Sequence, residues 1–475
     1  MVRSSPDRTK AALSYVSALG LMAALVTTIT LQKPPYWAMA AGTVIAGICS
    51  VCRLRAGVSA TSSIKETAGY AYRGLTRILN VVILVSLINA MTSVWYSSGT
   101  IQGLVYYGLS IVNPRFVALA GLVLSTLLST LIGSSVGTCA TVGVAIVGIA
   151  RAFGMPAAPV AGAIMSGALF GDRASLLSPI YHLAVDMTGS DPQKASRRIV
   201  ATGWVGLAAA AVAAVITGLA MDPGQVQAGI RWSAAFLDGL KGAARIGPLV
   251  LLPTVLVVVL AIRKVPVRVC MAGGLIVGAV LAVFYQHDAA ANVARSVFFG
   301  YSAQGGNPEV TGLLRSGGLV GAVNMLLLLV FAGMYTGIME SSGMMDDVSH
   351  GLVSRLESKR SFLIGAMGVS VFSAALASNQ AMSVIIPARA MEKKREELNV
   401  PREEFAGALS DSGVVAAGII PWNIMAGMCS GALQVPPLSY APYTVFAYVL
   451  PLAMIWRVRH NLDYLNLKEK TREAR

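Results

Sequence analysis

The chain has 475 residues, 55% of them hydrophobic and only 12% charged, with a mean hydropathy of +0.67. Soluble domains carry about 25% charged residues, so there is too little charge here to cover a soluble surface. The formal net charge of +15 would raise nucleic acid as a partner in a soluble protein. Here the cations gather at the ends of apolar stretches, which argues against that partner.

The composition predicts an all-α polytopic membrane protein. Apolar stretches run at about 11–31, 35–52, 76–97, 115–132, 156–170, 199–221, 247–262, 269–285, 317–339, 361–376, 414–432 and 441–456. At about 20 residues per span they make roughly ten to twelve spanning or half-spanning helices. The start, Met1 to Lys10, is polar and basic, and the stretch after it is long enough to cross. It reads as a first helix and not as a cleaved signal. Cations cluster at Arg3, Arg8 and Lys10, at Arg53 and Arg55, at Lys194, Arg197 and Arg198, at Arg263, Lys264 and Arg268, at Lys393, Lys394 and Arg395, and from Arg457 to Arg475. That is the positive-inside pattern, and it predicts a multi-pass cell-membrane protein with both termini in the cytoplasm.

Along the chain, residues 1–69 read as N-terminal helices and 70–221 as a first transport repeat. Residues 222–314 read as linking helices and Gly-rich loops, including Gly305-Gly306-Asn307-Pro308. A second repeat is expected at 315–456 and a basic cytoplasmic tail at 457–475. The stretch 392–404 mixes both signs and reads as a solvated loop.

The repeats are inferred from four pairs of anchors. Ser97-Ser98-Gly99 reappears as Ser341-Ser342-Gly343 at an offset of 244 residues, and at that same offset Ser134-Ser135 lies opposite Ser378-Asn379. Asp172 meets Asp411 at 239, and Pro179 meets Pro421 at 242. The runs Gly133 to Thr138 and Ala377 to Ala381 are too polar for lipid-facing helix and too apolar for a water-exposed loop. Irregular backbone at membrane depth is tolerated only when buried in protein or lining a cavity. Duplicated halves with interrupted spans in matching places are the pattern of secondary transporters, whose site lies between the repeats. Broken helices or re-entrant hairpins are therefore expected there.

Ionisable residues within spans are costly and mark functional sites, which makes Asp172 the first candidate. Ser175 and Ser178 follow at a spacing of three. On a helix their oxygens would share a face with Asp172 and suit sodium or a proton. Pro179 would break helix regularity and free a carbonyl. Pairing of Asp172 with Arg173 is the structural alternative. In the second half the candidates are Asp411, Ser412, Trp422 and Asn423. Asp411 also fits a solvated helix N-cap near the charged stretch, and Trp422 an interfacial belt. Ser134, Ser135 and Thr138, and opposite them Ser378, Asn379 and Gln380, complete the set, since broken-helix ends aim amides at anions and carbonyls at cations. Glu340, Arg389, His182 and Asp186 are weaker candidates.

Five cysteines and four histidines assemble no metal site. Cys49 and Cys52 form a CxxC inside an apolar helix without the further ligands zinc needs, and no HExxH is present. No enzyme is expected, and no cofactor beyond sodium or a proton as coupling ion. The expected partners are the lipid bilayer and a small ion or organic substrate, and a homodimer is left open.

The run Gly133 to Gly143, then Ala161-Gly162-Ala163-Ile164 leading into Phe170-Gly171-Asp172-Arg173, resembles the NhaC family of sodium/proton antiporters. So do Ser410-Asp411-Ser412-Gly413 and Ile420-Pro421-Trp422-Asn423. The resemblance implies sodium or proton antiport by alternating access. Through the wider family it also implies, as the alternative, coupled carriage of a small organic acid or amino acid. The family's Ser-Pro-Leu-Ser-Asp-Thr after the aspartate is here Ser175-Leu176-Leu177-Ser178-Pro179-Ile180, and its Gly-Asp-Gln is Ser378-Asn379-Gln380. Two acids of the family pattern are therefore missing, as in a divergent branch.

Overall fold

A computed structural model describes residues 8–31, 33–55, 59–109, 113–221, 224, 227, 245–263, 265–302, 316–353 and 356–460. The basic tail beyond His460, most of the 222–246 link and the run Gly305-Gly306-Asn307-Pro308 lie outside the described residues. The helices of the first half are α1 (Arg8–Thr30), α2 (Tyr36–Leu54), α3 (Ala60–Ser97), α4 (Thr100–Leu109), α5 (Val117–Ile132), α6 (Ser135–Ala152), α7 (Ala157–Ala174), α8 (Pro179–Thr188) and α9 (Pro192–Leu219). Then follow α10 (Pro248–Ile262), α11 (Val267–Phe284), α12 (Ala290–Phe299), α13 (Val323–Ser341), α14 (Met344–Val353) and α15 (Lys359–Leu376). The last are α16 (Met382–Glu397), α17 (Arg402–Ser410), α18 (Ile424–Leu433) and α19 (Val445–His460).

Among the described residues, nine helices are long and apolar enough to cross a membrane. The number is ten if Pro437–Tyr443 and Val445–His460 form one bent span.

Two repeats are visible in the order and packing of these helices. α3 ends at Ser97 and turns at Gly99 (φ 76°) into a ten-residue helix, α4; α13 ends at Ser341 and turns at Gly343 (φ 74°) into a ten-residue helix, α14. A positive φ of this size is the reason for glycine at both places. Next, α5 packs on α7 and α15 packs on α17 in the same register. Gly171 lies on Ser129 and Ile164 on Gly121, while Gly413 lies on Ser370 and Phe405 on Phe362. Each of these contacts joins residues 42 or 43 positions apart.

The same contacts give direction. Within each repeat the paired helices run parallel, because the contacts advance together along both. Between repeats, Arg173 meets Asp411, whereas Leu169 and Met165 meet Gly418, so the contacts advance in opposite senses. The two repeats are therefore inverted relative to each other, which spacing in the sequence does not reveal.

Both repeats are broken where polar runs interrupt the apolar stretches. α5 stops at Gly133 (φ 72°), and α6 starts from Ser134, whose Oγ accepts from the Gly137 amide. α15 stops at Leu376, and α16 starts at Met382 after Ser378 with φ 51°. Two expectations are corrected here. The stretch 392–404 is not a solvated loop: it is the end of α16, a short turn and the start of α17, with Arg395 and Glu404 buried. Nor is the segment after Asp172 helical. α7 ends at Ala174, and Ser178 caps α8, with Pro179 in its first turn. Proline there starts a helix, where its missing N–H costs nothing.

A Cβ at Gly171 would stand 2.3 Å from the Ser129 carbonyl carbon, and one at Gly413 2.1 Å from Ser370 Oγ, whereas one at Gly47 meets nothing within 4 Å. Overpacking of this kind costs about 1–3 kcal/mol. Thermal unfolding in detergent is therefore expected to show Gly171→Ala and Gly413→Ala destabilised alike, and Gly47→Ala unaffected or slightly more stable.

Candidate functional site

The breaks and ends of four helices meet at one cavity of about 580 Å³. Ser134 and Ser135 come from the start of α6, Asp172 from the end of α7, Pro179 and Ile180 from the start of α8, and Asn379 and Gln380 from the break before α16. Apolar side chains of α3, α11 and α18 close the remaining walls, among them Val81, Val267 and Met428. Among the described lining residues, the charged ones are Asp172 and Arg77.

Asp172 is buried, with 8% of its surface exposed. Its Oδ1 accepts from Ser178 Oγ at 3.4 Å and its Oδ2 from Gln380 Nε2 at 3.2 Å. Gln380 comes from the other repeat, so the carboxylate is held across the junction. Ser135 Oγ is buried and has no hydrogen-bond partner among the described residues, although it faces Asp172. Two helix N-termini, those of α6 and α8, also point at this place, and helix N-termini favour negative charge.

The second aspartate has a different fate. Asp411 is fully buried, caps the C-terminus of α17 and forms an ion pair with Arg173. It is not a solvated N-cap, and Arg173 is not the partner of Asp172. Arg173 Nη2 also donates to the Ile199 carbonyl at 2.7 Å, and its guanidinium lies 5.4 Å from the centre of the Phe446 ring. Arg198 Nη1 approaches Asp411 Oδ2 at 3.7 Å, while its Nε donates to Glu404 at 2.7 Å. Arg457 donates to the other Glu404 oxygen at 2.5 Å. Arg198 and Arg457, read from the sequence as topology signals, thus turn inward to complete an ion network between α7, α9, α17 and α19. Arg395 likewise turns onto Glu392 at 2.9 Å, and Arg53 onto Asp347.

Several predicted residues serve the scaffold. Ser175 Oγ donates to the Thr130 carbonyl at 2.7 Å and accepts from the Leu177 amide at 3.1 Å, so it does not share a helical face with Asp172. Thr138 Oγ1 donates to the Ser134 carbonyl at 2.9 Å, and Ser412 Oγ to the Ala408 carbonyl at 2.6 Å. Asn423 caps α18, accepting from the Met425 amide at 3.0 Å and donating to the Ala374 carbonyl at 2.9 Å. Trp422 is no belt residue facing lipid: its Nε1 donates to the Ala375 carbonyl at 2.7 Å. Ser378 is buried, and its carbonyl accepts from the Ile424 amide at 2.9 Å. Of the weaker candidates, Glu340 pairs with Arg77, and His182, Asp186 and Arg389 are exposed. Glu404 and Arg77 were not singled out from the sequence as site residues, and Arg173 and Arg198 were read there only as a partner for Asp172 and as a topology signal. Their signal was present as charge inside or beside apolar stretches.

Inverted repeats, broken helices at their junction and, among the described residues, a buried carboxylate without an ion-pair partner on the cavity there define a polytopic secondary transporter. The comparisons with known proteins agree. The model of the Na+/H+ antiporter family matches residues 168–460, and the chain belongs to that family. It is 29% identical to the Na(+)/H(+) antiporter NhaC of Alkalihalophilus pseudofirmus over 80% of this chain and 82% of that protein. It is 30% identical to the arginine/ornithine antiporter ArcD of Halobacterium salinarum over 88% of each chain. The malate-2H(+)/Na(+)-lactate antiporter of Bacillus subtilis is 26% identical over 84% of this chain and 85% of its own length.

Removing one partner of a buried ion pair costs about 3–5 kcal/mol, because the other charge is left uncompensated. Asp411→Asn is expected to lower the melting temperature in detergent strongly, and the double variant Asp411→Asn/Arg173→Met to recover part of the loss. Asp172→Asn is expected to stay near the wild-type value.

Proposed function

We propose that this chain is a sodium/proton antiporter in which Asp172 holds either a sodium ion or a proton, never both. The observation that carries the reading is the division of labour between the two aspartates. Asp411 is tied to Arg173 between the repeats, while Asp172 lines the cavity with no cation beside it at ion-pair distance among the described residues. A carboxylate oxygen that has accepted a proton no longer attracts a sodium ion, so the two ligands exclude each other. Hard cations take oxygen ligands. The cavity supplies them from Asp172, from the Ser134 and Ser135 hydroxyls and from the side-chain carbonyls of Asn379 and Gln380. Ser178 is a positioning residue that orients the carboxylate. The hydroxyl of Ser175 is bonded to the Thr130 carbonyl and the Leu177 amide, so this reading does not use it as a sodium ligand.

The cavity lies at the cation-rich ends of the helices, near Arg77, Arg263 and Arg268. By the positive-inside rule this is the cytoplasmic side. The name of the related NhaC antiporter supports the exchange, and the loss of two family acids leaves Asp172 as the group that both ions share.

One observation favours a second reading, coupled exchange of a small organic acid or amino acid. The cavity of about 580 Å³ is far larger than a bare cation needs, and Arg77 lines it. An organic carboxylate could sit near Arg77 while its cation meets Asp172. The names of the ArcD and malate/lactate relatives point the same way. A metabolite screen by thermal shift separates the readings, since a ligand that binds the folded state raises its stability.

The test of the first reading is flux in proteoliposomes. An inward sodium gradient is expected to drive proton efflux in the wild type, and Asp172→Asn to reduce it to the background of protein-free vesicles. If neither gradient drives counter-movement of the other ion, or if Asp172→Asn exchanges normally, the reading fails.

A further inference from the structure

A second cavity, of about 370 Å³, is walled by α3 and α18, which also wall the Asp172 cavity, and by α13. Its polar lining consists of Asn89, Asn324, Ser430 and Gln434, with no charged side chain among the described lining residues. The two cavities follow each other along α3 and take different faces of α18. On α3, Arg77, Ile78 and Val81 line the first and Asn89 the second. On α18, Ile424, Met425 and Met428 line the first, while Gly427, Ser430 and Gly431 line the second. On α13, Met325 and Leu328 line the second, and Glu340 at the far end pairs with Arg77 beside the first.

Between them packs an apolar cluster. Ile78, Val85, Leu329 and Ile424 form one buried cluster, with Val82, Met325 and Met428 packed on it. From Val81 to Asn89 a helix rises about 12 Å, so the barrier is about two turns thick. Met325 reaches across from α13 to α18, where a Cβ on Gly427 would touch its Cε at 3.4 Å and one on Gly431 its Sδ at 3.3 Å. The far wall of the second cavity is pinned by Gln434, whose backbone takes φ 55°. Its Nε2 donates to Asn89 Oδ1 at 3.3 Å and to the Gly431 carbonyl at 2.6 Å, and its own carbonyl accepts from Arg151 at 2.6 Å. A non-glycine residue held at positive φ by such contacts marks a place where the surroundings over-determine the backbone.

We propose that the second cavity is the opposite mouth of the transport path, an uncharged vestibule lined by amides and a hydroxyl that receives the ion with its hydration water. The apolar cluster between α3, α13 and α18 is the closed gate that separates it from Asp172. This rests on the reading of Asp172 as the ion site. Amide and hydroxyl groups exchange hydrogen bonds with a hydration shell without the tight hold of a charge. An ion therefore dehydrates only on reaching the carboxylate. Movement of α18 against α3 and α13 would open one cavity to Asp172 as it closes the other.

Sided labelling tests it. In oriented vesicles of the full chain, Leu183→Cys reports on the first cavity and Ser430→Cys on the second, each against the signal of the native cysteines. With a membrane-impermeant maleimide the two are expected to react from opposite sides. Reaction of both from one side, or of Ser430→Cys from neither, overturns the proposal. Leu329→Ala is expected to raise passive proton leak several-fold, whereas Val293→Ala, in a separate apolar cluster, leaves it unchanged; equal leak in both variants overturns the gate. Labelling reads water access and not exchange. Same-side labelling together with loss of exchange in Asp172→Asn would thus discard the vestibule and keep the ion site.

Discussion

The ion pair of Arg173 and Asp411 is the contact on which the arrangement turns. It joins the end of α7 in one repeat to the equivalent place in the other, with both side chains fully buried. Such a pair is weak evidence for stability, since desolvation offsets much of its attraction. Its value here is in what it fixes. The pair sets the register between α7 and the Asp411 break, and it draws Arg198, Glu404 and Arg457 into one network. It also consumes one of two acids that duplication placed in equivalent positions.

The consequence is an asymmetric site made from symmetric parts. Each repeat contributes a broken helix, a carboxylate near the crossing point and a capped ten-residue helix after it. In the first repeat the cap, Ser178, turns its hydroxyl toward Asp172. In the second, the cap Asn423 turns its amide onto the Ala374 carbonyl and stays in the scaffold. Gln380 stands where the family pattern carries its Gln, beside an Asn in place of the acid, and reaches back to Asp172. The second half therefore holds and shapes, while the first carries the carboxylate proposed to exchange its ion.

Much of this was legible in the sequence. The membrane class followed from composition, the duplication from anchors at nearly constant offset, and the broken helices from polar runs at membrane depth. Asp172, Ser134, Ser135, Asn379 and Gln380 were named from residue type and place, and they line one cavity. What was not legible is what depends on contacts between distant residues. Little local distinguishes Asp172 from Asp411, because Gln380, which holds the one across the junction, and Arg173, which pairs with the other, each lie more than 200 positions away. The pairing of Asp411 was missed since Arg173 is adjacent to Asp172 in the chain and points elsewhere in space. Inversion of the repeats leaves no mark on spacing. The expected helical face failed for a reason that was readable: Ser178 followed by Pro179 is a helix start, an N-cap and N1 pair, and a new helix there breaks the face that Asp172, Ser175 and Ser178 would have shared.

The central claim is that Asp172 is the one acid whose protonation sodium controls. Infrared difference spectroscopy of the protein in lipid, with and without sodium across a pH series, measures this directly. The account predicts that sodium removes one protonated-carboxyl band and that the band is absent from Asp172→Asn at every pH. A sodium-dependent carboxyl band that survives in Asp172→Asn would contradict it.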